Sequence, residues 1–116
     1  MRYFYGNPGR KSGRSDAARA VSYPVTITSG TEVVADLRRS GKVVCLNLML
    51  TSVPSTNQWP VIGSIPAEIA PLTDVRSAAL GSSLCWLKVD PSGQISAYSQ
   101  TSATLNMGVS LTWILP

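Results

Sequence analysis

Trp59, Trp86 and Trp113 carry the broadest flat surfaces in this chain. An indole pairs an apolar face with a polar edge, which suits it to stack against the C–H face of a sugar ring. Trp59 is the best placed of the three for that role, because it follows a polar loop and opens an apolar run, although packing is the commoner role for such a residue. Trp86 lies in a run whose core-facing parity the sequence leaves open. Trp113 alternates with core residues and reads as packing. Tyr98 shares its parity with Ser96 and Gln94 and would add hydrogen-bonding groups. The stretch Thr73, Asp74, Arg76 and Ser77, read as a loop, would supply more. The candidate ligand-binding residues are therefore Trp59, Tyr98, Asp74 and Arg76.

Other chemistries are poorly provided for. The chain has no histidine, which removes the commonest general base, the usual nucleophilic triads and the usual transition-metal ligand. Its carboxylates form no close pair: Glu68 and Asp74 are separated across prolines, and Asp90 belongs to a turn. The run Gly6-Asn7-Pro8-Gly9-Arg10-Lys11-Ser12 has the outline of a phosphate-binding loop. However, Arg10 stands where a glycine must precede the lysine, and no apolar strand leads into it. No loop alternates Asp and Asn in the manner of a calcium site. The chain is not expected to be an enzyme, and no catalytic residue, metal ligand or cofactor is assigned.

With 116 residues, 44% of them hydrophobic, there is material for one domain and one core. Charged residues are only 14%, well under the usual quarter, so part of the surface is expected to be covered in an assembly. The net charge of +4 comes entirely from residues 1–22, where Arg2, Arg10, Lys11, Arg14 and Arg19 face Asp16 alone. Rich in Gly and Ser, this segment reads as a basic arm or connector; binding phosphates is its alternative role. Cys45 and Cys85 sit in apolar runs and read as buried free thiols, with a disulfide left open. The opening run is too short for a signal peptide, and no apolar run is long enough to span a membrane, so no membrane insertion is expected.

From Tyr23 the pattern turns to the alternation of strands. Val25 and Ile27 oppose Thr26 and Thr28, and Glu32 to Leu37 is a weaker strand before a hairpin turn at Arg38–Lys42. Val43 to Leu50 is the strongest, with Val44, Leu46, Leu48 and Leu50 inward and an uncharged second face of Val43, Cys45, Asn47 and Met49. Residues 53–58 read as a polar loop, 59–65 as a strand, and 66–71 as a proline-bracketed crossing. Leu84–Val89 and Gln94–Tyr98 are joined by the turn Asp90-Pro91-Ser92-Gly93. Leu105 to Leu115 alternates throughout. The expected fold is all-β, an antiparallel β-sandwich of jelly-roll type over residues 23–116, preceded by the extended arm of residues 1–22.

Four stretches in order, RRSGKVVCLNLMLTSV (38–53), WPVIGSIPAEIAP (59–71), LKVDPSGQISAY (87–98) and NMGVSLTWIL (106–115), resemble the small head domains of bacteriophage tail-fibre and baseplate receptor-binding proteins. The sequence departs from that pattern at Ala67-Glu68-Ile69-Ala70, where the family carries glycine, an aromatic and arginine. The resemblance implies a virion protein of the phage tail, made in the host cytoplasm. It also implies a homotrimer that joins other tail proteins and attaches to host cell-surface carbohydrate. Two other roles stay open: a purely structural virion part without receptor binding, and a small coat or nucleic-acid-binding protein using the basic arm. Nucleic acid is not an expected partner under the leading reading.

Overall fold

A computed structural model describes residues 20–81 and 83–116. The basic residues of the arm lie outside the described residues. Nine strands follow: β1 (Val21–Tyr23), β2 (Thr26–Ile27), β3 (Thr31–Ser40), β4 (Val43–Ser55), β5 (Val61–Ser64), β6 (Val75–Gly81), β7 (Cys85–Val89), β8 (Gln94–Ser99) and β9 (Ala103–Ile114). The fold is all-β, and every pairing between strands is antiparallel. The first strand already includes Val21 and Ser22, two positions that composition alone places in the arm.

The strands form one continuous curled sheet in the order β1-β3-β4-β9-β6-β7-β8-β5-β2, where the sequence suggests two sheets. One corner is turned by β6, which pairs with β7 through Val75–Ala79 and with β9 through Leu80–Gly81. At the other corner a single segment supplies both outermost strands. It pairs as β1 with β3, breaks at Pro24, and pairs as β2 with β5. Proline has no N–H to donate and fixes its own φ, so one straight strand gives way to two short ones. This strap covers part of each edge of the curl, pairing with Leu37–Arg39 of β3 and Gly63–Ser64 of β5, and its own strands are too short to template pairing with another chain.

Both halves of the curl contribute to one core. Leu37, Val44, Leu46, Leu48, Leu105 and Leu111 from one half join Ile62, Leu87, Val89 and Ile95 from the other in a single buried cluster. The alternation read from β4 and β9 holds, with Leu105, Met107, Val109, Leu111, Trp113 and Leu115 all buried. β4 does not stop at Leu50, however. Between Leu50 and Val53 it uses one residue more than β9, a bulge at which Ser52 takes φ 55 and its N–H bonds the Asn106 side-chain oxygen at 3.2 Å. One extra residue reverses which parity faces inward. The stretch expected as a loop therefore begins as strand, with Val53 and Ser55 buried.

The proline-bracketed crossing contains a short 3-10 turn, Ala67–Ile69, which caps the core. Ile69 is fully buried, and its carbonyl accepts the Trp113 indole N–H at 2.8 Å. Trp113 is therefore a packing residue with its polar edge satisfied. The two cysteines are free. Cys85 is buried, and burial pushes its thiol pKa up, which favours the unreactive thiol form. Cys45, expected inside, is only half-buried because it stands on the outward parity of β4, with its Sγ 3.6 Å from the Thr112 hydroxyl.

The β7–β8 hairpin closes as its turn residues dictate. Gly93 takes φ +90 and donates its N–H to the Asp90 carbonyl at 2.9 Å, a conformation that glycine adopts without steric cost. The Asp90 carboxylate accepts from the Ser92 hydroxyl at 2.6 Å, the Ser92 N–H at 2.9 Å and the Gln94 N–H at 3.0 Å. Partial desolvation works to raise its pKa, but these bonds and the Lys88 charge outweigh that effect and hold it below the usual carboxylate range. A depressed native pKa stabilises the fold above the unfolded value and loses that contribution as pH falls through the native one. Asp90→Ala is expected to cost about 1 kcal/mol at neutral pH. Urea titrations of wild type and variant should converge in acid; a gap that persists at the lowest pH would show that the carboxylate is not the cause.

Candidate functional site

The outer surfaces of the two halves of the curl differ sharply. On the β4–β9 side, the outward residues Val43, Cys45, Asn47 and Met49 stand opposite Ile114, Thr112, Ser110 and Gly108. This patch carries no charge, and the Ser110 hydroxyl bonds the Asn47 side chain across it. Val43, Met49 and Ile114 are exposed large hydrophobics. A groove of about 590 Å³ opens at its end, lined by Val33, Met49, Leu80 and Met107 among others.

On the β6–β7–β8 side, the outward face carries aromatic and cationic groups. The inward positions of β7 are Cys85, Leu87 and Val89, all buried, so Trp86 and Lys88 point out. Register places Arg76 of β6 opposite Lys88, and Trp86 opposite Tyr98 of β8. Arg76, read from sequence as part of a loop, thus stands on a strand. Asp74 remains in the connection before β6 and reaches Arg76 at 3.5 Å. That exposed pair contributes little to stability.

Trp59 enters from the side. The sequence places it at the start of a strand, but it precedes β5, with φ 55 and Pro60 directly after it. A left-handed backbone is a genuine outlier for a bulky side chain, and strain of this kind persists only where surrounding contacts hold it. Those contacts are present. The connection runs along β8, with the Ser99 N–H donating to the Thr56 carbonyl and the Ala97 N–H to the Pro60 carbonyl, each at 3.1 Å. The Trp59 ring lies 4.9 Å from that of Tyr98, centroid to centroid, tilted by 34°. The Lys88 ammonium lies 4.9 Å and the Arg76 guanidinium carbon 5.4 Å from the Trp59 ring centroid. Contacts of this type contribute about 0.5–1 kcal/mol each at exposed sites.

Trp59, Arg76, Trp86 and Tyr98 together line a cleft of about 270 Å³. The four residues singled out from sequence, Trp59, Tyr98, Asp74 and Arg76, come from three separate stretches and lie in one neighbourhood. Two further members escaped that reading. Trp86 lines the cleft and is 39% exposed, more than half-buried Trp59. Lys88 bears on Trp59. Ser96, expected to share hydrogen bonding with Tyr98, is buried, and Gln94 stands near the Asp90 turn. The cleft lies just below the roughly 300–1,000 Å³ of drug-sized pockets, which fits it to one ring-sized group at a time.

Chemically, the cleft offers aromatic faces beside a guanidinium with N–H donors. No cluster of metal-binding side chains occurs among the described residues. No helix among them is long and apolar enough to cross a membrane. No protein-family model matches this chain, and no match was found among curated proteins.

Proposed function

We propose that the chain is a receptor-binding head domain of a phage tail-fibre or baseplate protein, and that the cleft of Trp59, Trp86, Tyr98 and Arg76 holds a host cell-surface saccharide. The observation that carries this reading is the convergence of three aromatic rings and a guanidinium on one outer face, with Trp59 held there in a strained backbone. A sugar has an apolar face for the rings and hydroxyls for the N–H donors. The attribution to a phage tail rests on the order of the four sequence stretches. Under it, the chain works as a homotrimer beside other tail proteins, with the uncharged β4–β9 face buried between copies.

A glycan array tests the binding role. Wild type should bind a restricted set of saccharides, and Trp86→Ala should weaken that binding about tenfold or more, equivalent to ~1.4 kcal/mol. Its side chain projects outward from the sheet, so circular dichroism should be unchanged. An array blank for wild type would favour a purely structural virion part.

Light scattering tests the assembly. A trimer is expected that Met49→Asp converts to monomer, because an added carboxylate in an apolar contact must be desolvated without a partner. A wild-type monomer at micromolar concentration contradicts it. The nucleic-acid role would depend on residues 1–22, whose cations lie outside the described residues.

A further inference from the structure

The charges around the cleft narrow the kind of sugar it takes. Arg76 is the one charged residue lining the cleft among the described residues, and Lys88 stands next to it across the β6–β7 register. The carboxylates on the neighbouring elements are Asp74 and Asp90. Asp74 approaches Arg76 only to 3.5 Å, with 39% of its own side chain exposed, which is long for a charge-assisted bond. Asp90 is occupied by its own turn, accepting from Ser92 and Gln94. β5 and β8 add no ionised group to this face. Arg76 lines the cleft and Asp74 engages it only at this long distance, so a carboxylate or phosphate can take two of its N–H donors in parallel.

A cationic ligand fits badly. Aromatic cages attract quaternary ammonium groups through the ring faces, but Lys88 and Arg76 already bear on the Trp59 ring. A nucleic-acid strand also suits aromatic faces beside cations. It needs a basic track along its backbone, though, whereas over residues 23–116 Arg38, Arg39, Lys42, Arg76 and Lys88 are balanced by Glu32, Asp36, Glu68, Asp74 and Asp90.

We infer that the saccharide unit held in this cleft carries an acidic substituent, a carboxylate or a phosphate, which pairs with Arg76 while its ring lies on Trp86 and Tyr98. This rests on the saccharide reading above and adds the charge of the ligand to it.

The test is an NMR titration of the full chain, following the indole N–H signals of Trp59 and Trp86, with that of buried Trp113 as an internal reference for the fold. The probes are glucose, glucuronic acid, glucose 6-phosphate, inorganic phosphate and a short single-stranded DNA. At least one acidic sugar should move the Trp86 signal at a concentration tenfold or more below that needed for glucose. Which acidic sugar does so tells carboxylate from phosphate. Arg76→Gln should erase that preference, Arg76→Lys should keep part of it, and the Trp113 signal should stay in place throughout.

Equal response to neutral and acidic sugars, or a preference unchanged in Arg76→Gln, overturns the inference and leaves the saccharide reading standing. A response to inorganic phosphate or DNA as strong as to the acidic sugar overturns it as well, since the rings are then not reading an acidic sugar. No response to any probe, together with a blank array, removes both.

Discussion

Trp113→Ala is expected to unfold most of the population at 37 °C. Removing a buried indole typically costs about 3–5 kcal/mol through lost contacts and the cavity left behind. Here the same change strands the Ile69 carbonyl, which accepts the indole N–H at 2.8 Å inside the core. An orphaned buried acceptor adds about 1–3 kcal/mol. A domain of this size has roughly 5–15 kcal/mol in total, so the loss approaches the whole. Trp113→Phe separates the two contributions, because it keeps most of the apolar contact and removes the donor. Urea unfolding followed by circular dichroism should place it between wild type and Trp113→Ala. If Trp113→Phe were as stable as wild type, the bond to the proline-bracketed turn would not contribute, and that turn would not be the cap described above.

Gly63→Val is expected to release the strap that closes the curl. A Cβ at Gly63 would lie 2.3 Å from the Thr26 carbonyl oxygen and 3.1 Å from the end of the Ile27 side chain. The first of these atoms is backbone, so relief requires β2 to move off β5. Overpacking of this kind costs about 1–3 kcal/mol, and β2 has only two residues with which to resist. The effect should be local as well as global. Hydrogen exchange should quicken at Thr28 and Ser29, whose N–H groups bond the Ile62 carbonyl at 2.8 and 3.2 Å. Protection in β4 and β9 should fall less. Uniform loss of protection across the sheet would show that the strap is not an independent closing element.

What the sequence makes legible follows from how strongly each strand separates its two faces. β9 alternates large apolar residues with small or polar ones from Leu105 to Trp113, and β4 carries Val44, Leu46, Leu48 and Leu50 on one buried parity. The turn at Asp90–Gly93 is written in residue types with fixed backbone preferences. β6 gives little signal, because Val75-Arg76-Ser77-Ala78-Ala79-Leu80-Gly81 has one β-branched residue, and after Val75 its inward positions, Ser77 and Ala79, are small. Those small residues suit a strand that turns a corner and pairs with a different neighbour at each end. The continuation of β4 past Leu50 was hidden because the bulge reverses the parity on which a strand is recognised.

The candidate site shows the same division. Trp59, Tyr98, Asp74 and Arg76 are legible as residue types with suitable chemistry, and it takes the antiparallel order of β6, β7 and β8, with the β4–β5 connection hydrogen-bonded along β8, to bring them together. Trp86 was obscured by Leu84, a second apolar residue on its own parity, although Cys85, Leu87 and Val89 mark the opposite parity as the core. The left-handed backbone of Trp59 has no sequence signal. A residue before proline is ordinarily driven to extended conformations, and here the contacts with Tyr98, Lys88 and Arg76 accompany the exception.

We propose the aromatic cleft as the place where the molecule meets its ligand. The most direct measurement is a crystal structure of the full chain with the saccharide that binds most strongly on the array. The account predicts a sugar ring against Trp86 and Tyr98, within hydrogen-bonding distance of the Arg76 guanidinium. A sugar bound on the β4–β9 face, or anywhere out of contact with Trp59, Trp86 and Tyr98, would contradict it.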